Sequence, residues 1–429
     1  MTTPKRFLFA TTDGGGTVPA DTSVIRALVD AGHEVRVLAD RVLAPDLATT
    51  GAEHIPWDKG PQRPNLDPTS VLVRDWDAKN PPEAFTRTLD GFLTGPAALF
   101  AEDVRAELRR RPADAVVANI FLFGAQIAAA ADDVPSAFLV PNLFAMPGWG
   151  IPPIGPGLKP MRGPLGRVRD AALGKMTTRL FDKGLDDLNA ARRANGLAPL
   201  EHTLDQFTEA DRILLLTSRA FEFDRYSPPR HVRFCGPRLE DPAWAGDWEP
   251  PAGDDPLVLV GLSSTFQDHG DLLQRVTDGL GTLPVRGLVT TGPAIDPSEI
   301  RAPANVEVVR SAPHSEVLKH AAAVVTHAGH GTTIKTLAAG VPQVCLPIGR
   351  DQLDNAARVE HHGAGLRLKP KADAATIAQA VQRVIDDPRF AQNARRLAAA
   401  IADDLNEDRA VAELEQLATR NGDRTPATV

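Results

Sequence analysis

Cysteine is almost missing: Cys235 and Cys345 are the only two in 429 residues, far apart and without Cys-x-x-Cys spacing. A disulfide framework and a structural zinc site are thereby excluded, and a reducing compartment is the expected setting. No run approaches the roughly 20 apolar residues of a membrane span. The opening MTTPKRFLFATTDGGG has an apolar stretch too short for a signal peptide. The expected location is the cytoplasm, with a peripheral contact with a lipid surface left open. Positive charge is not in excess either: 47 basic residues face 55 acidic ones, a formal charge of -8. That speaks against a nucleic-acid surface and a polyanionic partner. What remains is a globular composition, 43% hydrophobic and 24% charged, at a length that suits two domains of ordinary size.

The chain turns on Ala322 to Ala356, AAVVTHAGHGTTIKTLAAGVPQVCLPIGRDQLDNA. Ala322 to Thr326 reads as a buried strand of a parallel sheet. HAGHGTT follows, in which Gly329 and Gly331 let the backbone approach a ligand and Thr332 and Thr333 offer hydroxyls at a helix start. A helix over Thr333 to Ala339 ends at Gly340 and Pro342, and a second apolar strand, Gln343 to Ile348, delivers Asp351 and Gln352. Strand, glycine turn and helix start together bind anions, because unpaired N–H groups and the helix dipole point at the turn; a phosphate is the natural occupant. The turn is neither G-x-x-x-x-G-K-[ST] nor G-x-G-x-x-G, so neither a nucleoside-triphosphatase nor an NAD enzyme is indicated. Two imidazoles, His327 and His330, stand where a lysine is usual.

Upstream, a strand at Arg6–Thr11, a helix at Ala20–Ala31 and a strand at His33–Ala39 form a βαβ opening. It places a second glycine turn, Asp13 to Thr17, at the ligand edge of another parallel sheet. Asn119 closes a further strand, and Thr49 to Asn80 reads as loop. Pro141 to Pro164 is too rich in Pro and Gly for helix or central strand, yet Leu143, Phe144, Met146 and Trp149 are too apolar for an idle linker. A long loop of this kind reads as an apolar acceptor wall, against the plainer alternative of a loop packed on the body. Leu165 to Asn195 is amphipathic and reads as a surface helix of the first domain rather than a membrane-surface helix. The acidic stretch after Leu239 is the linker. The expected division is a first domain over 1–238, a linker over 239–256 and a second domain over 257–385, with a helical tail over 386–429.

The order H-x-G-x-G-T-T, then G-V-P, then P-x-x-x-D-Q-x-x-N-A resembles the donor-binding signature of GT-B glycosyltransferases that use nucleoside-diphosphate sugars. Within them it is most similar to the macrolide-type bacterial enzymes that decorate natural products. The resemblance implies an α/β GT-B fold, two Rossmann-like domains facing across a cleft, with the tail crossing back onto the first. It implies inverting transfer from a TDP- or UDP-sugar to an apolar aromatic or macrocyclic acceptor, with no cofactor. Metal is not invoked, because the helix dipole and imidazoles meet the diphosphate and no Asp-x-Asp motif is expected. By the same resemblance His327 and Thr332 or Thr333 contact phosphate, in one turn with Gly329, His330 and Gly331. Asp351 and Gln352 bond donor-sugar hydroxyls, and Ser264, Thr265, Thr291 and Gly292 touch phosphate or sugar.

Three departures stand out. Ser311 replaces the Trp that stacks on the base in relatives, so the base would rest on backbone near Ala312 and His314. Lys335 replaces a Glu that reads the ribose diol, which favours thymidine over uridine. Thr17 and Asn119 replace the general-base His and its orienting Asp, and neither titrates near neutrality. Asp13 is then the nearest carboxylate, acting directly or through Thr17, with His269 a second candidate. The lost dyad also leaves an auxiliary sugar-nucleotide-binding partner of another transferase as an alternative. An epimerase on the same fold gives no reason for an apolar acceptor wall.

Overall fold

A computed structural model describes residues 3–67, 70–242, 244–263 and 265–419. Two parallel sheets organise them. In the first, β1 (Arg6–Ala10), β2 (Glu34–Ala39), β3 (Glu53–Pro56), β4 (Ala115–Asn119), β5 (Ser136–Val140), β6 (Arg212–Leu215) and β7 (Val232–Phe234) lie in the order 3-2-1-4-5-6-7. In the second, β8 (Leu257–Gly261), β9 (Arg286–Thr290), β10 (Val306–Val309), β11 (Ala321–Thr326), β12 (Gln343–Cys345) and β13 (Gly365–Arg367) lie in the order 10-9-8-11-12-13. Central strands such as AVVAN, SAFLV and LVLVG are buried along their whole length, as a parallel sheet covered by helices on both faces requires.

Strand order reverses between β1 and β4 and again between β8 and β11. At such a switch point the connecting segments leave in opposite directions and open a crevice outside the carboxyl ends. The two crevices hold the two glycine turns.

Each sheet has its own core. Phe7, Phe9, Val24, Ile25 and Leu28 fill one face of the first sheet, and Val258, Val260, Val276, Val289 and Val381 one face of the second. The helix Arg409–Thr419 puts Ala410, Leu414 and Leu417 into the first of these cores, so the tail crosses between domains.

Some elements differ from the sequence expectation. The segment expected as loop over 49–80 carries β3 and a tight turn at Asp75–Asp77. Helix after β11 starts at His330, not Thr333, and β12 stops at Cys345.

The domains share more than the linker. Glu222 and Arg358 form an interdomain ion pair at 2.8 Å with both side chains at most 2% exposed. The loop after β5 reaches the second domain, where the Gly155 and Gly157 N–H groups donate to the Asp354 carboxylate at 2.7 and 3.2 Å. Arg367 donates back to the Gly157 carbonyl at 2.8 Å. Gly157 has φ of +60°, and a Cβ there would lie 2.5 Å from the Leu353 carbonyl oxygen, so only glycine fits this strap.

Candidate active site

The two glycine turns meet. A Cβ on Gly331 would lie 3.8 Å from the Gly16 carbonyl oxygen, so the second-domain turn faces the first-domain turn at the floor of the cleft. Gly329 caps the helix His330–Ala338 with backbone alone, since no side chain fills the capping position. Thr333 N–H bonds to the Gly329 carbonyl at 3.0 Å, which leaves the N–H groups of His330, Gly331 and Thr332 without a helical acceptor. Uncapped donors and the positive end of the dipole converge there, a cradle for an anion.

His327 directly follows β11, beside this cradle. Burial pushes its imidazole down to about 3, with the neighbouring His269 and Arg350 acting in the same direction, so the ring is neutral at ordinary pH. Its Nδ1 is buried without a hydrogen-bond partner among the described residues. A Cβ on Gly329 would lie 2.6 Å from His327 Nε2, so the ring, not backbone φ, demands that glycine.

Positive charge comes from a residue that the sequence reading quoted in GRDQ but gave no role, Arg350. It adopts φ of +54° after the last strand-end turn and donates to Thr265 Oγ1 at 2.9 Å. Asp75 of the first domain holds it in a fork at 2.6 and 3.0 Å, and Trp76 packs edge-on against Phe266 at 5.2 Å. Asp75-Trp76-Asp77 is an Asp-x-Asp triplet, which corrects the expectation that the chain has none. Its carboxylates face Arg350 and Arg74, the latter at 2.9 Å.

Several residues expected at the donor have partners within the protein. Gln352 is buried and spent: its Oε1 accepts from Ile348 and Gly349 N–H at 2.7 and 2.9 Å, and its Nε2 donates to Gln267 at 2.9 Å. It shapes the turn, with its oxygen and one of its two amide N–H groups already engaged. His330 lies in the first turn of the helix, with Nδ1 at 3.2 Å from Asn355 Oδ1; burial lowers its pKa. Thr333 is fully buried and its N–H is taken, while its Oγ1 is buried without a partner among the described residues. Asp351 keeps one oxygen on Asn355 Nδ2 at 2.8 Å and remains partly exposed, and burial raises its pKa. Thr291 is buried and donates to the Gly292 carbonyl at 3.3 Å. His314 fills the space over Gly261, where a Cβ would meet its Cε1 at 2.7 Å, and bonds Thr290 at 3.1 Å; Ala312 beside it is buried. Ser264 lies outside the described residues.

The base side is reorganised as well. Asp13, expected as the proton acceptor, is engaged: Oδ2 meets Arg63 at 2.7 Å and Oδ1 accepts the Gly15 N–H at 3.0 Å. His269 is buried, held down to about 4 by that burial, and sits beside His327 rather than the first-domain turn. Asn119, by contrast, points at a carboxylate that the reading missed. Asp21 Oδ2 accepts from Asn119 Nδ2 at 2.8 Å and from Thr11 Oγ1 at 2.6 Å. Its Oδ1 is buried without a partner among the described residues, and burial lifts the carboxyl to about 6 against those two hydrogen bonds. Thr17 lies one helical turn earlier, its carbonyl accepting the Asp21 N–H at 3.2 Å and its own Oγ1 buried without a partner among the described residues. Only an acidic residue inside a helical pattern marked Asp21 in the sequence.

The apolar wall is also corrected. Phe144, Met146 and Trp149 belong to the first-domain core, with Phe144 against Phe207 at 4.9 Å and Trp149 against Tyr226 at 5.9 Å. Tyr226 Oη donates to the Phe144 carbonyl at 2.6 Å. Leu143 packs between the domains with Phe221, Ile334 and Leu337. The loop is packed on the body, the plainer alternative. An open groove of about 690 Å³ lies outside it, between Pro147–Ile151 and the helix Gly163–Phe181.

At the base end, Ser311 Oγ donates to the Trp244 carbonyl at 3.2 Å, and Trp244 from the linker is 46% exposed. The backbone of a tryptophan thus meets the position that lacks one. Lys335 is paired with Asp241 at 2.8 Å, and Asp241 also accepts the Ser315 N–H at 3.0 Å.

Burial has a pH signature. His269 and His314 are lowered to about 4 and His327 to about 3, while Asp21, Asp40 and Asp354 are raised to about 6. An imidazole lowered by folding protonates first in the unfolded chain, so acid below about pH 6.5 destabilises. A carboxyl raised by folding protonates first in the native state, so acidification from about pH 6 to about pH 4 stabilises. The opposing slopes cancel, and the urea midpoint should hold nearly constant between about pH 6 and about pH 4.5. A steady rise on acidification across that window would contradict the lowered imidazoles, and a steady fall would contradict the raised carboxyls.

Comparison with known proteins agrees with this geometry. Residues 279–417 match the family described as Erythromycin biosynthesis protein CIII-like, C-terminal domain. The chain is 30% identical over 410 residues to 4'-demethylrebeccamycin synthase of Lentzea aerocolonigenes, covering 91% of this chain and 94% of that protein. The structure of the glycotransferase of kitacinnamycin superposes with a TM-score of 0.77 at 23% identity, covering 97% of this chain and 100% of that one. Glycosyltransferase VinC in complex with DTDP superposes with a TM-score of 0.67 at 20% identity, with coverage of 97% and 100%. These two share the fold. The glycine-turn motif, the paired parallel sheets and the full-length relationship together place the chain in the bacterial natural-product glycosyltransferases of the GT-B fold.

Proposed function

We propose that the protein transfers a sugar from a nucleoside diphosphate, with thymidine preferred over uridine, to a hydroxyl of an apolar small molecule. The transfer inverts the sugar by direct displacement and draws its countercharge from the protein. The observation that carries this is the uncapped start of the helix at His330, set against Gly16 across the cleft. As the bond between sugar and diphosphate breaks, its electron pair moves to a phosphate oxygen. The N–H groups of Gly331 and Thr332, the dipole and Arg350 stabilise that charge. The acceptor oxygen forms the new bond to the sugar carbon and its proton passes to Asp21 Oδ1, the carboxylate oxygen that has no other partner among the described residues. A carboxylate poised near 6 is suited to that task.

Trp244 supplies the aromatic face that Ser311 cannot, and Lys335, already neutralised by Asp241, gives a ribose diol no free carboxylate at that position. The occurrence of DTDP in the VinC complex supports the same preference. With the apolar loop buried, that loop no longer separates a transferase from an auxiliary binding protein; membership of the glycosyltransferase family does.

Titration calorimetry tests the donor site. TDP should bind more tightly than UDP, and His327→Ala or Trp244→Ala should weaken TDP by about tenfold, the scale of one charge-assisted hydrogen bond or one stacking contact. A clear UDP preference would overturn the base assignment, and unchanged affinity in His327→Ala would overturn the phosphate site.

A further inference from the structure

The helix Gly163–Phe181 is the least packed long element of the molecule. Only Gly166 and Gly174 on it are buried. Of the eight large apolar side chains exposed among the described residues, four fall within sixteen positions: Met161, Leu165, Val168 and Met176, the last three at 76%, 68% and 59%. Leu165, Val168 and Met176 share one stripe of the helix at spacings of three and eight. A chain of net charge -8 gathers seven basic residues and two acidic ones between Lys159 and Lys183. Four of those cations, Arg162, Arg167, Lys175 and Arg179, are exposed and have no acidic partner among the described residues. The two acids are taken, Asp170 by Arg169 at 2.7 Å and Asp182 by His202 at 2.8 Å.

Apolar and basic side chains on one outward face belong to a helix that lies in a lipid headgroup layer. The apolar tips enter the acyl boundary while Arg and Lys snorkel to phosphate. Neither signal suffices alone, and together they give reversible attachment. No helix among the described residues is long and apolar enough to cross a membrane, so the contact is peripheral. We propose that this helix docks the protein on an anionic lipid surface. The outward stripe of Leu165, Val168 and Met176 favours the membrane-surface helix that the sequence expectation set behind an ordinary surface helix. The groove of about 690 Å³ shares Met161, Arg167, Lys175 and Arg179 with this face. The docking surface is independent of the donor chemistry.

Co-sedimentation of the full chain with vesicles tests it. Binding should be strong to phosphatidylcholine mixed with phosphatidylglycerol, weak to phosphatidylcholine alone, and reduced by salt. Leu165→Glu with Val168→Glu should cut partitioning by about tenfold, since each acid removes apolar area and adds repulsion. TDP affinity of that variant, which lies outside the donor site, reports that it is folded. Three results would overturn the proposal: no binding to the anionic vesicles, equal binding to both kinds, or full binding by the double variant. A dimer in gel filtration that the same substitutions dissolve would overturn it in favour of a second copy of the chain.

Discussion

Asp21→Asn should lower kcat by about 10²- to 10⁴-fold, the range a positioned base contributes, and leave TDP affinity unchanged. The substitution is nearly isosteric, and its carbonyl oxygen can still accept from Thr11 and Asn119, so the first-domain turn keeps its shape. What disappears is the proton-accepting oxygen. The wild-type rate should fall as pH drops through about 6, where the carboxyl takes its proton, and that limb should be missing from the variant. A merely structural Asp21 would change stability and spare the pH profile. Asp13→Asn serves as the contrast, because Asp13 is tied to Arg63 and should leave the pH limb in place. Full activity in Asp21→Asn would remove it from the mechanism.

Glu222→Ala should destabilise the protein by about 3–5 kcal/mol, because removing one partner leaves the other charge buried and alone. Arg358 has little else to turn to: its guanidinium donates to Glu222 at 2.8 and 3.0 Å and to the Asp354 carbonyl at 3.1 Å, and lies 4.5 Å from the Phe223 ring centre. Urea unfolding checks the value. Replacing both partners, Glu222→Met with Arg358→Leu, should recover much of the loss, since apolar groups of similar volume need no partner. A single-substitution cost below about 1 kcal/mol would mean that solvent reaches the pair.

The strands and the donor motif were legible because they rest on local rules. Arg6–Ala10 and Ala321–Thr326 are short apolar runs bounded by turn residues, and the structure keeps them within one residue of the expected Arg6–Thr11 and Ala322–Thr326. The start of the helix after β11 was read three residues late, because His, Gly and two Thr are weak helix formers while the cap is a glycine with no side chain to announce it. Roles failed where a side chain's partner is remote. Nothing near Asp13 tells that Arg63 will take it, and nothing near Gln352 tells that Gln267 will hold its amide. The Pro-rich loop was misread because burial in a core and an acceptor wall call for the same apolar residues. Asp21 was invisible for the opposite reason: it looked like the polar face of an ordinary helix, and only Thr11 and Asn119 converging on it show otherwise.

The strap at Gly155 and Gly157 bears on how such enzymes can be recombined. A hybrid joined at the linker, with the donor half of one protein and the acceptor half of another, would separate these N–H groups from Asp354 and Glu222 from Arg358. Functional exchange of sugar specificity therefore calls for transplanting the residues around 150–160 and 222 together with the recipient helix that carries Asp354 and Arg358. The seam between the two halves is a surface, and a cut in sequence does not follow it.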